Sequence, residues 1–204
     1  HLEGYLKRHK SPKYRKEAVF RIAVCTFSLA EYDKAIALFQ SFNEAYPGDP
    51  LTDESNLLLG DGFFADGHMD EGFAAYDRVR PTSVRFFEEA WFKKGNAYKL
   101  LEEIETMRGH FEKFVETYPA SGRLPEAVYW IGWTYTQEDD LEKARSIYWD
   151  TIARHGDDPD MFTMTDLFAG LSKVYLPGGD AGREDLLATL QIMKGRAAAE
   201  GKNT

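Results

Sequence analysis

WFKKGNAYKLLEEIETMRGHFEKFVETYP, residues 91–119, holds one whole structural unit of the chain. Trp91, Gly95 and Tyr98 are four and three residues apart, so a helix brings them back to one face. Met107, Phe111 and Phe114 make a second apolar face at the same kind of spacing. Pro119 stops this second helix, because it has no N–H to donate and its ring collides with the preceding turn. The unit is therefore two amphipathic helices and a stop, and it carries no catalytic constellation.

The stretches around it read as copies. The small residue near the start of each second helix falls at Ala35, Gly72, Met107 and Ala144, at spacings of 37, 35 and 37 residues. An aromatic follows four positions later every time: Phe39, Tyr76, Phe111 and Tyr148. Such a period belongs to a solenoid, in which each helix pair buries its apolar stripe against the next. The small side chain lets two backbones approach while the aromatic fills the adjoining gap. Met107 departs from that rule and predicts a looser contact.

The remaining units follow the same plan. Val19, Ile22, Ala23 and Thr26 share a first helix, Ala35, Phe39 and Phe42 a second, and Pro47 ends the pair. Asp53 is the expected N-cap of the next helix, whose inner face is Asn56, Leu59, Gly60 and Phe63. Gly67 sits in its turn, and Gly72, Tyr76 and Val79 precede Pro81. Thr82 or Ser83 caps the third unit. Val128, Ile131, Gly132 and Tyr135 follow Pro125, then Ala144, Tyr148 and Thr151, with Gly156 and Pro159 closing the fourth. The resulting division is four repeats over residues 16–159, at about 16–50, 51–83, 84–120 and 121–159. Residues 1–15 read as the tail of a preceding repeat, with Ser11 as N-cap and Pro12 as first helical residue. Residues 160–200 read as a fifth helix pair or a terminal cap, opened by Asp160 and interrupted at Pro177-Gly178-Gly179. Residues 201–204 are expected to fray.

Composition limits the function. The 204 residues are 43% hydrophobic and 29% charged, an ordinary globular balance. The net charge of -9 repels a phosphate backbone, which argues against nucleic acid. No apolar run approaches the roughly 20 residues of a membrane span. The single cysteine, Cys25, excludes an intrachain disulfide and leaves cytoplasm and periplasm equally open; its apolar helix predicts burial. Lys7, Arg8, Lys10, Lys13, Arg15 and Lys16 make a basic start, read as a solvated helix end. The first residue, His1, suggests a mature form or an excised fragment.

The chain resembles a tetratricopeptide-repeat array. The family pattern W-x2-L-G-x2-Y, A-x3-F and P is met by Trp91, Gly95, Tyr98, Phe111 and Pro119, with Lys94 where leucine is usual. It recurs in Ile131, Gly132, Tyr135, Ala144 and Tyr148, with Val128 in place of tryptophan. The resemblance implies an all-α fold, a right-handed superhelical solenoid of antiparallel helix pairs with four full repeats and partial or capping helices at both ends. The junction FVETYPASGRLPEAVYWIGWTY is also similar to repeats in bacterial envelope proteins such as BamD and YbgF/CpoB. That similarity implies a periplasmic or envelope location; otherwise the chain is expected in the cytoplasm.

In this family the first helices line the concave side. The groove residues so implied are Phe20, Phe27, Leu57, Phe64, Phe92, Asn96, Tyr129, Trp130 and Trp133, unless their rings pack against neighbouring helices. Grouped aromatic side chains in a concavity mark binding sites and dominate interface energetics. The family's clamp for a terminal carboxylate is present only as Lys93, Asn96 and Lys99; the preceding helix offers Leu57, Leu58 and Asp61 at the equivalent places. Enzymatic constellations do not emerge. His1, His9, His68, His110 and His155 are scattered without metal-site spacing. Glu138-Asp139-Asp140 and the acidic run at 157–160 lack calcium-loop spacing, and Gly178-Gly179 is not followed by a phosphate-loop lysine. Neither a catalytic residue nor a cofactor nor a metal is expected. The sequence thus points to a non-catalytic scaffold binding a peptide or partner domain, with a structural spacer or docking arm of a larger protein as the alternative. Self-association through an exposed repeat end is a further expectation.

Overall fold

The structure, a computed structural model, describes residues 12–155 and 164–199, with helical backbone alone at 12–14, 164 and 192–199. The described chain is helical. In order come α1 (Pro12–Ser28), α2 (Tyr32–Ala45), α3 (Leu51–Ala65), α4 (Met69–Tyr76) and α5 (Val84–Leu100). Then follow α6 (Ile104–Thr117), α7 (Leu124–Gln137), α8 (Leu141–His155), α9 (Met164–Tyr175), a 3-10 turn (Leu176–Gly178) and α10 (Gly179–Ala199). Two compact units divide within α5, the first ending at Lys94 and the second starting at Gly95. Ser11, Gly156, Pro159 and Asp160, assigned as caps and stops, lie outside the described residues, as do the acidic run at 157–160 and the tail at 201–204.

In the first unit α1 pairs with α2 and α3 with α4. Phe20, Ala23, Ala35, Ile36, Phe39, Phe42, Leu59 and Ala75 form one buried cluster. Leu57, Tyr76, Val79 and Ala90 form another, with Phe64, Phe86 and Phe87 against it. The α3–α4 turn has Gly67 at φ 84°, a left-handed conformation that costs glycine nothing.

Asp53 does not cap α3. Pro50 holds that position, and Asp53, inside the first turn, is buried. Its carboxylate accepts the Arg80 backbone N–H at 3.0 Å, the Arg80 Nη2 at 2.7 Å and the Ser83 hydroxyl. Arg80 also donates to the carbonyls of Gly48 at 3.1 Å and Asp49 at 3.0 Å. One guanidinium thus joins the loop before α3 to the loop after α4. Burial pushes the Asp53 carboxyl up, but the hydrogen bonds from Arg80 and Ser83 and the Arg80 charge outweigh it and hold the group below its ordinary value.

In the second unit α6 packs on α7, α7 on α8, and α9 on both α7 and α8. Leu124, Val128, Ala144, Tyr148, Ile152, Leu167, Leu171, Val174 and Tyr175 make its core, to which α10 adds Leu186. The repeat positions are all used for close packing: Ala35, Gly72, Met107 and Ala144 are buried, as are Phe39, Tyr76, Phe111 and Tyr148. Each of the last three rings lies against a glycine of the first helix. A Cβ on Gly60 would stand 2.4 Å from Tyr76, one on Gly95 2.2 Å from Phe111, and one on Gly132 2.3 Å from Tyr148. Met107, expected to loosen its contact, is fully buried. Arg108 of α6 reaches α7, donating to Thr134 Oγ1 at 2.9 Å and lying 4.2 Å from the centre of the Tyr135 ring.

Candidate functional site

The nine expected groove residues separate into two groups. Phe20, Leu57 and Phe92 are buried, so for these three an open groove position is corrected to a core position. Phe20 meets Phe42 at 5.3 Å between ring centres, because α1 buries an arc wide enough to include both Phe20 and Ala23. Leu57 joins Tyr76, Val79 and Ala90. Phe27 is half-buried against Tyr32 at 5.5 Å and Phe39 at 6.5 Å. Phe64 stacks on Tyr76 at 5.4 Å and fills the notch beside Gly72, where a Cβ would meet its ring at 2.6 Å. These five side chains, all in the first unit, are engaged in helix packing.

The other four lie in the second unit. Tyr129, Trp130 and Trp133 are half-buried on α7, and Asn96 is exposed on α5, one turn before Lys99. Spacings of three and four residues set Trp130 and Tyr129 each beside Trp133 on the helix surface. Tyr129 and Trp130 meet edge to face at 5.0 Å, and so do Trp130 and Trp133 at 5.9 Å. The Tyr129 ring stacks over Tyr148 at 6.4 Å, and its carbonyl accepts the Tyr148 hydroxyl at 3.1 Å, which anchors the cluster to α8. Burial raises the pKa of that Tyr148 hydroxyl and keeps it a donor.

Two exposed lysines cover the rings. Lys99 Nζ lies 4.6 Å from the Trp130 ring centre and 4.9 Å from that of Trp133. Lys173 of α9 lies 5.3 Å from the Tyr129 ring centre and donates to its hydroxyl at 2.7 Å. A cation over an exposed ring contributes about 0.5–1 kcal/mol. The fragments of the family's clamp are used differently here: Lys99 serves the tryptophans, whereas Lys93 pairs with Asp61 at 3.0 Å. Sequence reading missed Lys173, since its contact with Tyr129 spans 44 residues. The signal available was the reading of residues 160–200 as a fifth helix pair, in which α9 takes the place of a first helix.

Cys25, expected in the core, is exposed. It stands two positions beyond buried Ala23, about 200° around the helix. Among the described residues no three His, Cys, Asp or Glu side chains converge as a metal site would require, and no helix is long and apolar enough to cross a membrane. A cavity of about 270 Å³ lies beside the Arg80 network, lined by Asn43, Asp53, Asn56 and Arg78 among others. It belongs to the loop junction already described.

Residues 17–49 and 89–121 match the sequence pattern of the tetratricopeptide repeat. No curated protein matches the chain in sequence. Among solved structures it is similar to BtubC (BKLC) from P. vanneervenii, at 17% identity and TM-score 0.60, covering 100% of this chain and 89% of that one. It is also similar to the C-terminal part of a TPR repeat-containing protein from Cytophaga hutchinsonii, at 18% identity and TM-score 0.60, covering 92% and 78%. A tetratricopeptide repeat protein from Parabacteroides merdae gives 11% identity and TM-score 0.55 over 98% and 78%. These likenesses concern the fold. The repeat matches cover residues 17–49 and 89–121, and the chain has a helical-repeat fold similar to that of tetratricopeptide-repeat proteins.

Proposed function

We propose that the chain is a protein–protein interaction scaffold that holds a peptide or an extended segment of a partner domain against the aromatic face of its second unit. Tetratricopeptide repeats commonly mediate protein–protein interaction and are generally non-catalytic. The observation that carries the finer reading is the half-buried Tyr129, Trp130 and Trp133 cluster. Its rings are held edge to face, so they keep apolar area at the surface with little freedom left to lose on binding. Aromatic side chains in that state are the usual anchors of an interface. Exposed Asn96 adds an amide one turn from Lys99 on α5.

The test is a capture experiment from source-cell lysate, comparing the wild-type chain with a Trp130→Ala, Trp133→Ala double variant of matched helicity and melting temperature. A partner retained by the wild type and lost by the variant supports the reading. Equal retention by both moves recognition to another face.

A further inference from the structure

On the footing of that binding reading, we infer that the segment bound at the Tyr129, Trp130 and Trp133 face is acidic, with carboxylates that pair with Lys99 and Lys173. Lys113 aside, the lysines with described side chains divide by whether they hold a carboxylate. Lys16, Lys34, Lys93, Lys94 and Lys143 each hold a carboxylate of the chain itself. Lys99 and Lys173 instead rest on aromatic rings, and among the described residues neither is paired with a carboxylate. This is unexpected in a chain with 34 acidic against 25 basic side chains, where internal carboxylates are plentiful.

An ammonium has three donors. A ring face engages it from one side, and the exposure of both lysines leaves the other side to water. A carboxylate arriving from solvent therefore finds a positioned cation with open donors and need not break an internal ion pair to reach it. A basic segment meets the opposite situation, because the ring faces that attract a cation are already covered by the chain's own. It would have to displace Lys99 or Lys173 and then tolerate the like charge beside it. The net charge of -9 does not override this local preference. At physiological ionic strength screening acts over about 8 Å, so distant carboxylates weigh little against a cation in contact. The two lysines then select charge, while the Trp130 and Trp133 edges receive the apolar side chains between the acids.

Three short fluorescent peptides test the inference, sharing the same leucine and phenylalanine positions and carrying glutamate, glutamine or lysine elsewhere. Each is titrated by fluorescence anisotropy against the full wild-type chain, the Lys99→Met, Lys173→Met variant and the Trp130→Ala, Trp133→Ala variant. Methionine keeps an apolar stem over the rings without the charge, and circular dichroism checks the fold. The expected result is that the glutamate peptide binds the wild type roughly tenfold more tightly than the glutamine peptide, with that preference lost in the lysine variant. Equal affinity for glutamate and glutamine peptides, tighter binding of the lysine peptide, no binding of any peptide, or an undiminished preference in the lysine variant would each overturn it. If glutamate and glutamine peptides bind equally but both are lost in the tryptophan variant, the acidic specificity falls and the aromatic site stands. If the tryptophan variant binds as the wild type does, the aromatic site itself falls.

Discussion

Gly132 leaves the space that the Tyr148 ring fills: a Cβ on Gly132 would stand 2.3 Å from that ring. Gly170 on α9 meets the same ring, with a would-be Cβ at 2.7 Å. One aromatic of α8 is thus held between glycines of the two first helices flanking it, and its hydroxyl ends on the carbonyl of Tyr129. The packing of the repeat and the placement of the aromatic face share this ring.

Gly132→Ala should therefore destabilise the second unit by about 1–3 kcal/mol, the usual cost of forcing extra volume into a packed contact. Gly109→Ala is the control. Gly109 is exposed in α6 with nothing within 4 Å of a would-be Cβ, so alanine there should stabilise by up to about 1 kcal/mol. Urea midpoints moving in opposite directions would establish the contrast, and a stable Gly132→Ala chain would refute it.

Phe111 is fully buried, so Phe111→Ala should cost about 3–5 kcal/mol. Tyr98, on the first helix of the same repeat, is half-buried, and its truncation should cost clearly less. Both are read from chemical denaturation. Equal losses would mean that the Tyr98 ring is more deeply engaged than its exposure indicates.

The Asp53 carboxyl is held below its ordinary pKa by Arg80 and Ser83 against the opposing effect of burial. A group depressed in the folded state contributes stability above its unfolded pKa of about 4, and that contribution is lost as pH falls through the lower, folded value. The wild type should accordingly weaken as pH drops below about 4. Asp53→Asn should be less stable at pH 7 and lose less on acidification. Asp49 and Asp140 are also depressed and remain in the variant, so the difference between the two melting profiles isolates Asp53. Parallel profiles would show that the Asp53 contacts do not persist in solution.

Cys25 is exposed on α1 and should react stoichiometrically with a thiol reagent in the folded protein, without added denaturant. Spectrophotometric thiol titration reads this directly. Reaction only after unfolding would return Cys25 to the interior.

Much of the architecture is legible because it is periodic. The spacing of Ala35, Gly72, Met107 and Ala144, with an aromatic one turn later, states which side chains meet, since a helix converts sequence distance into angular position. The same rule fails where a residue has two neighbours to choose from. Leu57 joins Tyr76 of its own partner helix and Ala90 of the next, whereas Phe20 is buried by Phe39 and Phe42 of its own partner because the buried arc of α1 is wide, and Phe92 is buried too. Asp53 shows the same limit: its type and place suggest a cap, and Arg80, 27 residues on, takes it into an ion pair instead.

What the sequence by itself determined is the helix-pair period, the stops between pairs, the small-residue and aromatic contacts within them, and the aromatic character of α7. These follow from local geometry and from the shapes of single side chains. Only the tertiary structure decided which aromatics stay at the surface and which cations cover them. Lys99 and Lys173 lie 31 and 44 residues from the rings they rest on. No periodicity encodes such a meeting, because it depends on how α5, α7 and α9 pack after each has formed.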